Sequence, residues 1–162
     1  MNRSALIALA GLGLASCGQG GDSKSAAAAP SRPEPTPAEK AALLAALPAP
    51  YNAADLDNGR RVFARCRSCH TLTEGGPNMT GPNLYGVFGR EAGGHPDYNY
   101  STAVKHADFT WNAERLDHWL ENPRTFLKGT KMSFAGIPDA TDRRDVIAFL
   151  KVETGYAPPA AP

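Results

Sequence analysis

The segment Cys66-Arg67-Ser68-Cys69-His70 constrains this chain more than any other feature, because it places two thiols and an imidazole within one short stretch. Two cysteines at this spacing can both bond to the vinyl groups on one edge of a porphyrin, and the next residue then directs its imidazole at the iron. The segment therefore predicts one c-type haem, attached covalently through Cys66 and Cys69, with His70 as the proximal iron ligand.

The same cysteine spacing also occurs in half of a zinc site and in redox dithiols. Zinc would need further ligands, but the only other cysteine, Cys17, lies far upstream. The remaining histidines form no closely spaced pair; they are His95, His106 and His118. This distribution favours haem, and it leaves no thiol pair for a disulfide.

Residues 1–16 have the pattern of a secretion signal, with one positive charge at Arg3 and an apolar run from Ala5 to Leu14. The run is too short to span a bilayer, which takes about 20 apolar residues. The order Leu-Ala-Ser-Cys that ends at Cys17 resembles the lipobox of bacterial lipoproteins. It predicts acylation of Cys17 as the mature N-terminus; the alternative is an ordinary signal peptide cleaved nearby, with Cys17 left as a free thiol.

Removal of residues 1–16 deletes one basic residue, Arg3, and no acidic residue. The mature chain then carries 16 acidic side chains and an equal number of basic ones, so it is formally neutral. A nucleic-acid-binding protein would be expected to carry a basic excess. The charge balance therefore excludes a general affinity for nucleic acid.

Composition divides the mature chain into three parts. Residues 17–52 form a lipid-anchored linker rich in Ala and Pro, residues 53–156 form the haem domain, and residues 157–162 form a disordered tail. Within the linker, Thr36 is a capping residue, Pro37 is suited to the first helical position, and Glu39 completes a capping box. A short helix over 37–47 is one expectation, and an alanine-rich spacer that frays in water is the other.

Helical periodicity predicts a first helix from about Asp55 into the haem motif and a last helix over Asp139 to Glu153. Gly59 is unusual inside a helix, where glycine costs up to about 1 kcal/mol relative to alanine. A close approach by the last helix would explain it, with Phe149 over the missing side chain. A domain of about 100 residues has little core of its own, and a buried macrocycle would supply contact surface.

Other signals place a helix from Asn112 that Pro123 stops, and a shorter helix near Ser101 to His106. Residues 74–96, rich in Gly, Pro and Asn, are expected to form a loop around the cofactor. No alternating run indicates a sheet. The prediction is an all-α domain with about four to five helices and long loops around one covalent haem.

A second axial ligand decides whether a haem moves electrons or binds small molecules. Met79 is too near His70 in the sequence to reach the other face of the haem comfortably. Met132 follows a helix and lies in a loop that could close over that face. The sequence therefore favours Met132 as the second ligand.

A longer pattern resembles mitochondrial-type class I cytochrome c, in a bacterial form that carries a lipobox. The matching segments are Gly81 to Arg90, Tyr100, Trp111, Leu120 to Pro123, Gly129 to Met132, Phe134 to Ile137 and Arg143 to Leu150. The resemblance covers about 100 of the 162 residues and is collinear, so it is more specific than the haem motif alone. It implies the class I cytochrome c fold, in which the N- and C-terminal helices cross.

The resemblance also implies residue roles. His70 and Met132 are the axial ligands, and the Pro82 carbonyl accepts a hydrogen bond from the other imidazole nitrogen. The haem propionates are bound by Arg90, Tyr100 and Trp111. Thr130 forms a hydrogen bond near the methionine, and Phe134 lies beside the exposed haem edge.

The chain departs from the family pattern in three respects. Trp119 stands where a tyrosine usually approaches the methionine sulfur, and Val104 replaces a common buried asparagine. The ring of lysines used for partner docking is only partly present, and Pro138 and Asp139 occupy positions that are often basic. The docking candidates are Arg65, Arg67, Arg124, Lys128 and Lys131.

The expected function is that of a monomeric one-electron carrier, not an enzyme, tethered through Cys17 to the periplasmic face of the cytoplasmic membrane. It would pass electrons between a quinol-oxidising cytochrome bc complex and a terminal oxidase of a respiratory chain. One alternative is a haem enzyme or gas-binding sensor with a labile methionine, although His95, His106 and His118 are expected to be solvated. Another is a fixed electron-entry subunit of a dehydrogenase or oxidase.

Overall fold

The computed structural model describes residues 34–157. The predicted signal peptide, the lipidation site Cys17, the first part of the linker and nearly all of the predicted tail lie outside these residues. Within the described range the chain is helical, and its only β-type pairing is an isolated bridge between Glu91 and Thr110. The predicted all-α class is confirmed.

Six α-helices and one 3-10 turn follow in chain order. They are α1 (Pro37–Ala45), the 3-10 turn Tyr51–Ala53, α2 (Leu56–Phe63), α3 (Thr102–Lys105), α4 (Ala113–Glu121), α5 (Pro123–Phe126) and α6 (Ala140–Glu153). None of these helices is both long and apolar enough to cross a membrane.

The one-turn helix α5 brings the number of α-helices in the predicted haem domain, residues 53–156, to five, within the expected four to five. Helix α4 ends at Glu121, as Pro123 predicts, but the same proline then occupies the first position of α5. The Asn122 side chain accepts a hydrogen bond from the backbone N–H of Thr125 and so caps the new helix. Proline has no backbone N–H, and the first position of a helix does not need one. Pro123 can therefore stop α4 and also begin α5.

Polar caps start the long helices where the sequence places them. Asp55 caps α2, Asn112 caps α4 and Asp139 caps α6, each through a side-chain oxygen that accepts backbone N–H groups of the first turn. Such caps satisfy donors that otherwise have no partner in the helix.

Helices α2 and α6 cross at Gly59. A Cβ at this position would lie 2.3 Å from the carbonyl oxygen of Asp145 and 2.7 Å from Cβ of Phe149. Beside the contact, the rings of Phe63 and Phe149 pack with their centroids 5.6 Å apart. The expected close approach of the last helix at Gly59 is therefore confirmed. The absence of a side chain at Gly59 makes room for the backbone of α6.

A buried arginine joins α6 to the loop that precedes it. Arg143, 7% exposed, donates hydrogen bonds to the Asp117 carboxylate at 2.9 Å and to the carbonyls of Ile137 at 2.9 Å and Pro138 at 2.8 Å. The bond to Asp117 raises the pKa of Arg143 above its ordinary value, so the guanidinium stays charged. Arg143 therefore fixes the end of the loop between α5 and α6.

Substitution of Gly59 by alanine should destabilise the holoprotein by about 1–3 kcal/mol, because the new methyl group forces the two helices apart. Urea unfolding measures the change. Arg60→Ala, at the neighbouring exposed position of the same helix, should stay within about 0.5 kcal/mol of the wild type. Equal stability of the two variants would contradict a close helix crossing.

Candidate cofactor site

An apolar cavity lies between α2, α4 and α6 and the loops that connect them. Its walls carry mainly hydrophobic side chains, among them Val87, Val104, Leu116, Leu120, Val146 and Leu150. Both cysteines of the motif, His70 and Met132 reach the same cavity. The residues that the sequence proposes for one cofactor thus surround one space.

The haem motif follows α2 as a series of tight turns. The Cys66 N–H donates to the Phe63 carbonyl at 2.8 Å, and the N–H groups of Cys69 and His70 both donate to the Cys66 carbonyl at 3.0 Å. These turns bring both thiols and the imidazole to one wall of the cavity.

The environment of the cysteines does not favour the alternatives to haem. Burial raises the pKa of the Cys66 thiol to about 11, whereas redox dithiols and zinc sites use thiolates. Residues 34–157 contain no cluster of three or more His, Cys, Asp or Glu side chains that could hold a metal ion. The geometry therefore matches thioether formation better than zinc binding.

His70 is fixed by the backbone of the next loop. Its Nδ1 lies 2.7 Å from the Pro82 carbonyl oxygen and, as the protonated nitrogen, donates to it. Burial lowers the pKa of His70, and the Pro82 carbonyl partly offsets this effect. The imidazole is therefore neutral, and Nε2 keeps a free lone pair for a metal.

Gly81 makes this placement of His70 possible. A Cβ at Gly81 would lie 2.3 Å from Cε1 of His70, and the Gly81 N–H also donates to the Cys69 carbonyl at 2.8 Å. The sequence shows a Gly-Pro pair here but gives no sign that the glycine faces the imidazole. Its role appears only when the loop is folded against the motif.

The two methionines of the described chain differ in position. Met132 is half-buried and lines the cavity, and its N–H donates to the Thr130 hydroxyl at 3.2 Å. Met79 is 47% exposed and is not among the cavity-lining residues. The structure therefore brings Met132, not Met79, to the cofactor space.

The expected propionate partners also line the cavity; they are Arg90, Tyr100 and Trp111. Arg90 also holds its own loop, because Nη1 donates to the Asn83 carbonyl at 3.0 Å and Nη2 donates to the Tyr85 carbonyl. Burial lowers the pKa of Arg90 and raises that of Tyr100. A guanidinium, a phenol and an indole N–H can together bind carboxylates that would otherwise be costly to bury.

Trp119 and Val104, which depart from the family pattern, are both buried and line the cavity. The Trp119 ring packs edge-on against Trp111 at 5.3 Å and against Phe126 at 5.9 Å between centroids. An aromatic cluster thus stands where the family pattern has a hydroxyl.

A bridge of contacts crosses from the loop of Met132 to the loop of Pro82. The Lys131 amine donates to the Asn99 carbonyl and lies 4.5 Å from the centre of the Tyr98 ring. The Tyr98 hydroxyl donates to the Thr80 carbonyl at 2.5 Å. The sequence assigns no role to Tyr98, since its two contacts come from distant segments.

The five docking candidates are not equivalent. Arg65, Arg67, Arg124 and Lys128 are exposed, and only Arg65 has a carboxylate nearby, with Asp142 at 4.0 Å. Lys131 is exposed too, but its amine is engaged with Asn99 and Tyr98. His95, His106 and His118 are absent from the cavity lining.

The fold and the site together define a helical haem-c protein whose two cysteines attach the cofactor. The sequence profile of the family described as cytochrome c matches residues 56–152. The chain belongs to the cytochrome c family, whose members carry electrons, and it binds haem c covalently through Cys66 and Cys69.

Individual relatives agree with this assignment. Cytochrome c of Kluyveromyces lactis is 39% identical over 105 residues, which are 64% of this chain and 96% of that protein. Cytochrome c2 of Rhodomicrobium vannielii is 42% identical over 105 residues, which are 65% of this chain and 84% of that protein. The structure of cytochrome cH from Methylobacterium extorquens superposes with a TM-score of 0.57 and 40% identity, and covers 60% of this chain and 98% of its own.

Substitution of Gly81 by alanine should displace the His70 ring, because the new methyl group overlaps it. We expect a lower yield of holoprotein and an altered visible spectrum, measured on the purified protein. Glu74→Ala is the matched control, since Glu74 is exposed in the same loop and does not line the cavity. Identical spectra and yields for both variants would show that Gly81 does not set the position of His70.

Proposed function

We propose that this protein is a membrane-tethered one-electron carrier in which His70 and Met132 are the axial ligands of the haem iron. The observation that carries the proposal is that a backbone-fixed imidazole and a thioether sulfur, from segments far apart in the sequence, line the same apolar cavity. Haem iron supplies reversible one-electron exchange, and a His and Met ligand pair raises its reduction potential.

The chain's own residues hold and orient the group. Cys66 and Cys69 attach it, Pro82 sets the direction of the His70 ring, and Thr130 positions the backbone of Met132. Arg90, Tyr100 and Trp111 would bind the haem carboxylates, and Phe134 lines the same cavity.

Carrier function is favoured over an enzyme or gas sensor by what the cavity lacks. Among the described residues that line it there is no carboxylate, and His70 is the only histidine. Chemistry on a bound peroxide would be expected to use a distal acid or base. With His70 committed to the iron, the described lining offers neither a carboxylate nor a second imidazole for that role.

The partners we propose are a quinol-oxidising cytochrome bc complex as donor and a terminal oxidase as acceptor. Exposed Arg65, Arg67, Arg124 and Lys128 support contact with acidic surfaces, and Lys131 contributes less because its amine is engaged. Such charges mainly steer the encounter between partners. A rim this sparse would attract partners weakly over long range, so confinement to their membrane would raise the encounter rate.

The tether we propose is lipid on Cys17, which would hold a monomeric protein on the periplasmic face of the cytoplasmic membrane. Support comes from the sequence of residues 1–17, a signal followed by a lipobox-like junction. Durable attachment would take more than one acyl chain.

Substitution of Met132 by alanine should remove the near-infrared charge-transfer band of the ferric protein and lower the reduction potential, because the thioether ligand is lost. Spectroscopy and redox titration of the purified protein measure both. Met79→Ala is the matched control and should change neither. A band that survives in Met132→Ala would overturn the assignment of this ligand.

Substitution of Cys17 by serine should abolish incorporation of labelled fatty acid into the protein. Ser23→Ala, a small change beyond the junction, should leave labelling intact. Mass spectrometry of the N-terminal peptide provides a second measurement. The mass of the acyl groups should be found in the wild type and should be absent from Cys17→Ser. Unlabelled wild-type protein would contradict the lipid tether without affecting the haem assignment.

A further inference from the structure

Residues 37–54, here called the N-terminal arm, pack against α6. Leu47 is 4% exposed and Ala54 8% exposed, and both lie in one cluster with Ala148, which is fully buried. Leu44 and Tyr51 pack against the same cluster. The arm is therefore an integral part of the folded domain.

Polar and aromatic contacts hold the arm at the end of α6. The Lys40 ammonium lies 2.6 Å from the Glu153 carboxylate, with side chains that are 27% and 14% exposed. Lys151, itself 5% exposed, points its ammonium at the rings of Tyr51 in the arm and Tyr156 after α6, 5.8 Å and 3.5 Å from their centres.

The arm covers the side of α6 that faces away from the haem cavity. Val146 and Leu150 of α6 line the cavity, whereas Ala148 faces the arm. At about 100° per residue, Ala148 projects about 160° away from each of those two side chains. None of the described residues that line the cavity belongs to the arm.

Helix α1 depends on this packing. A helix of nine residues is marginal in water by itself, and its capping box satisfies only the first turn. The contacts of Leu44 and Lys40 with the domain supply what the isolated helix lacks. Loss of docking should therefore release the whole arm.

We propose that docking of the N-terminal arm sets the working length of the membrane tether. The idea rests on the lipid anchor at Cys17 proposed above. With the arm docked, the tether runs from Cys17 to Thr36 and can span at most about 65 Å. With the arm released, the tether runs from Cys17 to Ala54 and can span at most about 130 Å. At a fixed lateral density, the local concentration of a carrier confined to a membrane falls as the layer that it occupies becomes deeper. That depth grows between the square root and the first power of tether length, so docking raises the local concentration about 1.4- to 2-fold.

Docking itself is tested by amide hydrogen exchange on the full-length lipidated holoprotein in detergent. Backbone N–H groups of residues 41–47 should be protected in the wild type and lose protection in Leu47→Asp, which places a charge in the buried cluster. Asn52→Asp adds the same charge at an exposed position of the arm and should keep protection. Lys40→Glu should weaken protection, and the double variant Lys40→Glu with Glu153→Lys should restore it.

The effect on tether length is tested by oxidation of the reduced carrier in vesicles that contain a terminal oxidase, at equal carrier density. Leu47→Asp should slow turnover about 1.4- to 2-fold. A wild-type chain with about 18 Gly and Ser residues inserted between Pro33 and Glu34 should slow it equally, with protection of the arm intact. In detergent solution without vesicles, all variants should react at the same rate.

The outcomes separate the two proposals. An unprotected arm in the wild type overturns docking, and unchanged turnover of Leu47→Asp in vesicles overturns control of tether length. Wild-type protein without lipid would overturn the anchor at Cys17, and with it the proposed control of tether length. Exchange protection on the same sample decides docking whether or not the anchor exists.

Discussion

The crossing of α2 and α6 at Gly59 is the contact on which the remainder of the structure depends. Helix α2 leads directly into the segment that carries both thiols and the imidazole, and α6 supplies Val146 and Leu150 to the lining of the same cavity. The space for a Cβ at Gly59 is taken by the backbone of Asp145. The close crossing therefore fixes the attachment segment relative to the part of the cavity lining that α6 supplies.

The polar groups of the cavity are fixed mainly by backbone atoms. His70 is held by the Pro82 carbonyl, Arg90 by the carbonyl of Asn83, and Met132 by a turn that Thr130 closes. Groups held this way need little rearrangement when charge changes nearby. This arrangement suits an electron carrier, whose site must serve two oxidation states with the same ligands.

The sequence predicts the parts of this protein that depend on local chemistry. The caps Asp55 and Asp139 mark helix starts because a short polar side chain can satisfy free N–H groups within its own turn. Long-range contacts leave weaker signals. The roles of Gly81 and Tyr98 could not be predicted from the sequence. Gly81 contacts His70, and Tyr98 contacts Thr80, only because the folded loops bring these residues together.

The sequence by itself determined the haem attachment, the helical class and the family, because each rests on residue types at fixed spacing. The sequence also favoured Met132 over Met79, and the structure agrees by placing Met132 in the cavity lining. Only the tertiary structure decided that Lys131 is engaged in a bridge. It also decided that residues 37–54 pack on α6. The physical reason is the same in each case. The chemistry of a side chain follows from its own residue type, but the group that it contacts depends on how distant segments of the chain pack together.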